Sequence, residues 1–296
     1  MNLDLYRRIL AGEAHTHMLS PRAIWRLTGP DAQRYLNGQV TNDIATLTEG
    51  QVCYAAVCTA KGRMEGDLFI TFHGAHYFLD ADLSLRESLD ARLQKYLIAD
   101  DATFEDVGDL WNLSHVFGAT PPPAPENSFI IPHPRFGLPG HDIWISSPGS
   151  VMVGETVPTD IIETLRLEHG IPRWGTELTT NTLPPEAGPC LIESISYTKG
   201  CYVGQETIAR LKSVGHVNRT LAFLQSDSAS FPAAGTKLMQ AYHEIGVVTS
   251  TGYSPRLEKG IALGYIQRQG ATNGTSLRAN DLTLTVSTPL PHGAKS

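Results

Sequence analysis

The chain lacks most of the patterns that announce a function at once. Of its 296 residues only four are cysteine (Cys53, Cys58, Cys190 and Cys201), and no C-x-x-C pair occurs. That excludes a zinc ribbon, a thioredoxin-type motif and a disulfide-built scaffold. A basic surplus is also missing: 23 Lys and Arg stand against 30 Asp and Glu, a net charge of −7, whereas proteins that grip nucleic acid through its phosphates are as a rule basic. No apolar run approaches the ~20 residues of a membrane-spanning helix. The start, Met1-Asn2-Leu3-Asp4-Leu5-Tyr6-Arg7-Arg8, has no signal-peptide core, so a cytoplasmic location is expected. There is no G-x-S-x-G elbow and no G-x-x-x-x-G-K-[ST] phosphate loop. Glu13, His15 and His17 are too weakly patterned to argue for a metal, and none is expected.

What is present reads as an α+β protein. Ala23 to Leu27 and Gln51 to Thr59 have the composition of buried strands, and Asp67 to Phe72 with His76 to Leu79 alternates as a hairpin across His73-Gly74. Cys53 and Cys58, an odd number of residues apart on one strand, fall on opposite faces. Thr28 is the expected N-cap of a helix ending near Asn37-Gly38, and Ser84-Leu85-Arg86-Glu87 reads as a capping box for a helix with Leu85, Leu89, Leu93, Tyr96 and Leu97 on one face. Pro121 to Pro125 predicts an exposed loop. A further helix is expected from Thr159, as its cap, to His169, stopped by Gly170 and Pro172. The stretch from Gly175 to Gly188 looks too polar to pack and reads as a long functional loop. Beyond about Ser213 only short strand segments recur, at Thr220–Leu224, Ile245–Thr251, Ile261–Ile266 and Leu282–Val286. They predict a small antiparallel barrel, so the expected domains are 1-212 and 213-296.

The most unusual segment is Lys199-Gly200-Cys201-Tyr202-Val203-Gly204-Gln205-Glu206. Two glycines bracket the cysteine, so the backbone there can turn tightly and approach a ligand. Lys199 and Arg210 are cations that would favour thiolate over thiol; the alternative is a buried structural thiol. Lys199, Arg210, Lys212 and Arg219 against Glu206 form a basic island suited to an anionic tail, or simply a solvated face. Glu186, in the rigid Thr182-Leu183-Pro184-Pro185-Glu186 loop, could accept the paired N–H groups of a pterin, or be an ordinary loop acid.

These residues resemble a known family. Lys199 to Glu206 matches at all eight positions the K-G-C-[FY]-x-G-Q-E signature of the YgfZ-type folate-binding proteins, relatives of the glycine-cleavage T-protein. Leu36-Asn37-Gly38-Gln39-Val40-Thr41-Asn42-Asp43, Ala60-Lys61-Gly62-Arg63-Met64, Arg166 to Pro172 and Gly246 to Ser250 resemble further segments of that family. The resemblance implies a T-protein-like fold, with two interleaved α+β subdomains and a C-terminal antiparallel β-barrel around a folate channel. It implies tetrahydrofolate or a one-carbon derivative as cofactor, with Glu186 on the pterin, Arg219 near the distal part, and Tyr202, Gln205 and Arg210 also at the ligand. Cys201, Lys199 and Asp67 are the implied reactive residues, with Cys201 facing a partner cluster, a one-carbon unit or an oxidised species. The implied role is accessory: support of iron–sulfur cluster assembly or repair and of tRNA-modifying iron–sulfur enzymes, with iron–sulfur proteins as partners and direct tRNA contact left open. The competing expectations are a folate-dependent aminomethyltransferase or demethylase, and a ligand-free scaffold. T-proteins have two adjacent acids where this chain has Gly66-Asp67, which argues against aminomethyl transfer.

Overall fold

The computed structural model of the chain describes residues 1–213 and 215–291; the last five residues of the expected barrel domain lie outside the described residues, as does Val214 at its start. The first part runs α1 (Leu3–Leu10), β1 (Thr16–Met18), β2 (Ala23–Thr28), α2 (Ala32–Gln39), β3 (Gln51–Cys58), β4 (Met64–His73), β5 (His76–Ala81), α3 (Arg86–Tyr96) and β6 (Thr103–Asp106). It continues with β7 (Trp111–Phe117), β8 (Ser128–Pro132), β9 (Gly140–Ser146) and α4 (Thr159–Glu168). Two short helices, α5 (Pro189–Ile192) and α6 (Gln205–Ser213), lead to β10 (Arg219–Ser226), β11 (Lys237–Gln240), β12 (His243–Ser254), β13 (Lys259–Gln267), β14 (Ser276–Ala279) and β15 (Leu282–Ser287).

Two antiparallel sheets fill the first part, in the orders β3-β4-β5-β2-β6 and β1-β7-β9-β8. They are interleaved, because β1 precedes the whole five-stranded sheet yet pairs with β7 beyond it. Period-two alternation decides what each face does. Trp25, Leu27 and Leu79 point to the side covered by α2 and α3, where Leu36, Leu89 and Leu93 close a core. Their neighbours Ile24 and Phe78 point the other way and meet Leu113, Phe129 and Trp144 of the four-stranded sheet. On β3 the same alternation sends Ala55 and Val57 to the helix side and Ala56 and Cys58 to a core with Met64, Leu191 and Tyr202. Cys53 packs with the first set, so the two thiols do lie on opposite faces.

The C-terminal strands close into a six-stranded barrel, β10-β13-β12-β11-β14-β15. Leu167 of α4 packs against Leu221, Phe223, Ile261 and Leu263 of its wall. Beside it Glu168, fully buried, accepts hydrogen bonds from Tyr6 Oη (2.7 Å), Ser254 Oγ (2.5 Å) and Arg256 Nη2 (3.1 Å), which ties α1 and the barrel to one helix.

Several local expectations need correction. Thr28 does not cap α2: Asp31 takes the N-cap position, and its carboxylate accepts the Asp101 N–H at 2.9 Å, not one of the helix's own. Asp82, not Ser84, supplies the cap before α3, through a 3-10 turn over Leu83–Leu85. Pro158 occupies the N-cap of α4 in place of Thr159. The stretch from Gly175 to Gly188 is largely packed: Glu177, Leu178, Thr182 and Ala187 are all at most 1% exposed. Its polar groups are satisfied internally, with Glu177 accepting from Arg166 Nη1, Ser250 Oγ and the Arg173 N–H.

Candidate functional site

A cavity of about 490 Å³ opens where the two sheets meet α4 and the segment after it, within the usual size range of small-molecule sites. Asp67 reaches it from β4 and Tyr54 from β3; His133, Arg135 and Phe136 come from the segment after β8, and Arg173 and Trp174 from the turn after α4. Phe69 anchors one wall, with Tyr54 stacked at 4.8 Å, His133 edge-on at 4.8 Å and the Arg135 guanidinium 4.2 Å from its centroid.

Asp67 is the least satisfied group in this wall. Its Oδ2 accepts from Tyr54 Oη at 2.7 Å, while its Oδ1 is buried with no partner among the described residues. Burial pushes its carboxyl up to about 6, against the opposing pull of the Tyr54 hydrogen bond and of Arg22. A carboxylate held in this way costs stability when ionised. Because the folded value lies above the unfolded one, that term favours folding below pH ~4 and is lost as pH rises through about 6. Asp67→Asn keeps an acceptor for Tyr54 and removes the charge. The expected result is a protein about 1–2 kcal/mol more stable at pH 7.5, with the gain vanishing near pH 4. Denaturant midpoints at the two pH values check it, and a variant less stable at pH 7.5 would contradict it.

Below Asp67 lies a buried ion network. Arg135 donates to Asp80 through Nη2 at 2.8 Å and to Asp142 through Nη2 at 2.7 Å, so it bridges β5 of one sheet and β9 of the other. Arg22 adds a second cation on Asp80 (2.7 Å). His115 and His133 each place Nδ1 on Asp142, at 2.8 and 2.7 Å. Burial alone would push Asp142 up; Arg135 and the two imidazoles outweigh it and hold the carboxyl well below its usual range.

The signature octapeptide lies elsewhere, docked on the other matched segments. Lys199 Nζ is buried and donates to the carbonyls of Asn37 (2.7 Å), Val40 (2.6 Å) and Asn42 (2.5 Å), at the C-terminal end of α2. The Val203 N–H donates to Gly38 O at 3.1 Å. Gly204 has φ +89°, and a Cβ there would sit 2.6 Å from Thr59 O and 3.2 Å from Gly62 Cα, so only glycine fits this approach of two backbones.

Residues 19–121 match the GCVT N-terminal domain and residues 219–286 the glycine cleavage T-protein C-terminal barrel domain. The chain is 32% identical over 238 residues to the tRNA-modifying protein YgfZ of Sodalis glossinidius, covering 73% of each chain. It is 30% identical over 236 residues to that of Cronobacter sakazakii, covering 72% of this chain and 71% of the relative. The chain belongs to the YgfZ family. Its fold is that of the T-protein superfamily: the crystal structure of the glycine cleavage system aminomethyltransferase T from Bartonella henselae superposes with a TM-score of 0.83 at 20% identity, over 96% of this chain and 88% of that one.

Placed on this YgfZ-family structure, the residues singled out by sequence separate into two groups. Asp67 lines the cavity; Glu186, Arg219, Tyr202, Gln205, Arg210, Lys199 and Cys201 do not. Glu186 is buried and accepts from Arg219 Nε at 3.1 Å. The acid expected to hold a pterin and the base expected further along the ligand therefore pair with each other. Tyr202 is packed in the core with Cys58 and Ile208. Gln205 opens α6, and Arg210 is exposed on it. Cys201 is exposed, but Lys199 is committed to three carbonyls and is not a free cation for the thiol. The thiol that does line the cavity is Cys190, which burial pushes up to about 12, far from the reactive range.

Position 66 bears on the missing second acid. β4 alternates, and a Cβ on Gly66 would meet Leu89 Cδ1 at 2.9 Å, on the core side. An acid there would enter apolar packing instead of the cavity, so its absence leaves the cavity's charge unchanged.

Proposed function

We propose that this YgfZ-family protein binds a reduced folate in the cavity beside Asp67, and that the bound folate serves an accessory role in tRNA modification, in support of iron–sulfur enzymes. The observation that carries the reading is the orphaned Oδ1 of Asp67 in a cavity large enough for a pteridine, with aromatic walls. A pterin presents a ring N–H and an exocyclic amine side by side, and an under-satisfied carboxylate is a matched acceptor for such donors. Arg173, half-exposed at the rim and paired with Glu163 at 2.7 Å, has the charge for the ligand's tail carboxylate. The name carried by the bacterial relatives supports the link to tRNA modification. Reduced folate supplies a one-carbon carrier when bound; this chain's own residues bind it, orient it and exclude water around it.

The test is calorimetric binding of tetrahydrofolate to wild type and Asp67→Asn. Loss of one charge-assisted hydrogen bond should weaken binding by about 1.5–3 kcal/mol. Equal affinities would remove Asp67 from the site, and no binding to wild type would end the folate reading. Asp67 also favours a second reading, folate-dependent transfer from an amine or methyl donor, since a carboxylate can stabilise a cationic one-carbon nitrogen. That reading requires turnover of tetrahydrofolate with a small amine or methyl donor, and binding without turnover eliminates it.

A further inference from the structure

The two imidazoles on Asp142 are not equivalent. Both place Nδ1 on its carboxylate. The Nε2 of His115 is buried without a partner among the described residues, and even a Cβ at Gly140 would come within 2.4 Å of it. Burial pulls this imidazole down to about 4, against the pull of Asp142, so it stays neutral and enclosed. His133 lies on the open side: its ring lines the cavity, edge-on to Phe69, and its Nε2 has no hydrogen-bond partner among the described residues.

We propose that His133 is the ligand-reading acid–base group of the cavity: its Nε2 accepts an N–H of the bound ligand, and Asp142 is the positioning residue that fixes the tautomer. The inference rests on the reduced-folate reading of the cavity and adds a residue and a polarity to it. Asp142 is ionised and accepts only, so the His133 proton sits on Nδ1 and the lone pair on Nε2. Arg135 and Arg22 stand against Asp80 and Asp142 behind the imidazole. Asp67 on β4 is a second acceptor lining the same cavity. Two acceptors select a ligand rich in N–H groups, as a tetrahydropteridine is and an oxidised pterin is less so. Passage of the shared proton would break the ligand N–H bond, leave its electron pair on the ligand nitrogen, and form Nε2–H on an imidazolium already paired with Asp142.

The experiment uses the whole protein with tetrahydrofolate as probe. Side-chain ¹⁵N–¹H spectra of the wild type should show His133 with Nδ1 protonated, and its Nε2 resonance should move when tetrahydrofolate is added while that of His115 stays. His133→Leu should bind tetrahydrofolate about tenfold more weakly, the loss of one hydrogen bond, and His133→Gln, whose carboxamide oxygen can still accept, should recover most of it. An unmoved Nε2 resonance in a protein that binds tetrahydrofolate overturns the proposal by itself and needs no variant to fold. So does wild-type affinity in His133→Leu. Absence of tetrahydrofolate binding by the wild type fails the folate reading, and this proposal falls with it.

Discussion

Arg135→Met is expected to cost about 3–5 kcal/mol of folding stability. The guanidinium is 7% exposed and makes five hydrogen bonds to two carboxylates that are themselves 0% and 2% exposed. Methionine fills much of the volume but leaves Asp80 with Arg22 alone and Asp142 with two imidazoles. A buried charge that loses its partner is far more costly than an ion pair that was never built. The pH dependence has a definite sign. Asp80 and Asp142 both lie below the ordinary carboxylate range, so their contribution is present above the unfolded value near 4 and fades as pH falls through the folded one. The deficit of the variant should therefore be greatest at neutral pH and shrink on acidification. Urea midpoints at pH 7 and pH 3 check both parts; a loss below ~1 kcal/mol at pH 7 would show that the bridge between the sheets is not a principal tie.

Lys199→Met is expected to lose about 2–4 kcal/mol without touching the ligand cavity directly. The ammonium satisfies three carbonyls at the end of α2, where helix carbonyls lack partners and a cation is favoured by the helix dipole. Each hydrogen bond from a charged donor contributes roughly 1.5–3 kcal/mol. The net is less than their sum because the ammonium has been stripped of water, which pulls it down to about 8. Methionine removes the donors and that desolvation cost together. Denaturant unfolding gives the magnitude, and hydrogen exchange should show residues 40–43 and 199–204 opening more readily than in the wild type. Unchanged stability would mean that solvent or a neighbouring group replaces the ammonium, and the octapeptide would no longer be a clamp.

These two variants also show where sequence reasoning succeeded and where it stopped. Strands β2 and β3 were legible from their buried-strand composition and the β4–β5 hairpin from alternation, with Leu68 and Ile70, then Tyr77 and Leu79, at the pleat's period; all were placed to within a few residues. The barrel was legible from turn residues and strand spacing, although β11 and β14, four residues each, were too short to register. Helix α6 was missed because only Ile208 of its nine residues is buried, which leaves no apolar stripe to detect. The cavity was mostly missed for a different reason. Asp142 sits in a strand whose neighbours are all buried, and a charged residue inside an apolar run was the available signal that it must be paired. His133 and Arg135, between prolines just before that strand, were the nearest candidates to pair with it. The packing role of the octapeptide was not legible, because glycines that admit a ligand and glycines that admit another stretch of backbone look alike in one dimension. Gly204 is the second kind: what approaches it is Thr59, and the Lys199 beside the cysteine faces the end of α2.

The measurement that reaches the centre of this account is backbone hydrogen exchange of the intact protein with and without saturating tetrahydrofolate. Protection is expected in the peptides carrying Asp67 and Phe69, His133 to Phe136, and Arg173 to Trp174, with little change across Lys199 to Glu206. Protection confined to the octapeptide and the Glu186 loop, with the cavity peptides unchanged, would contradict it.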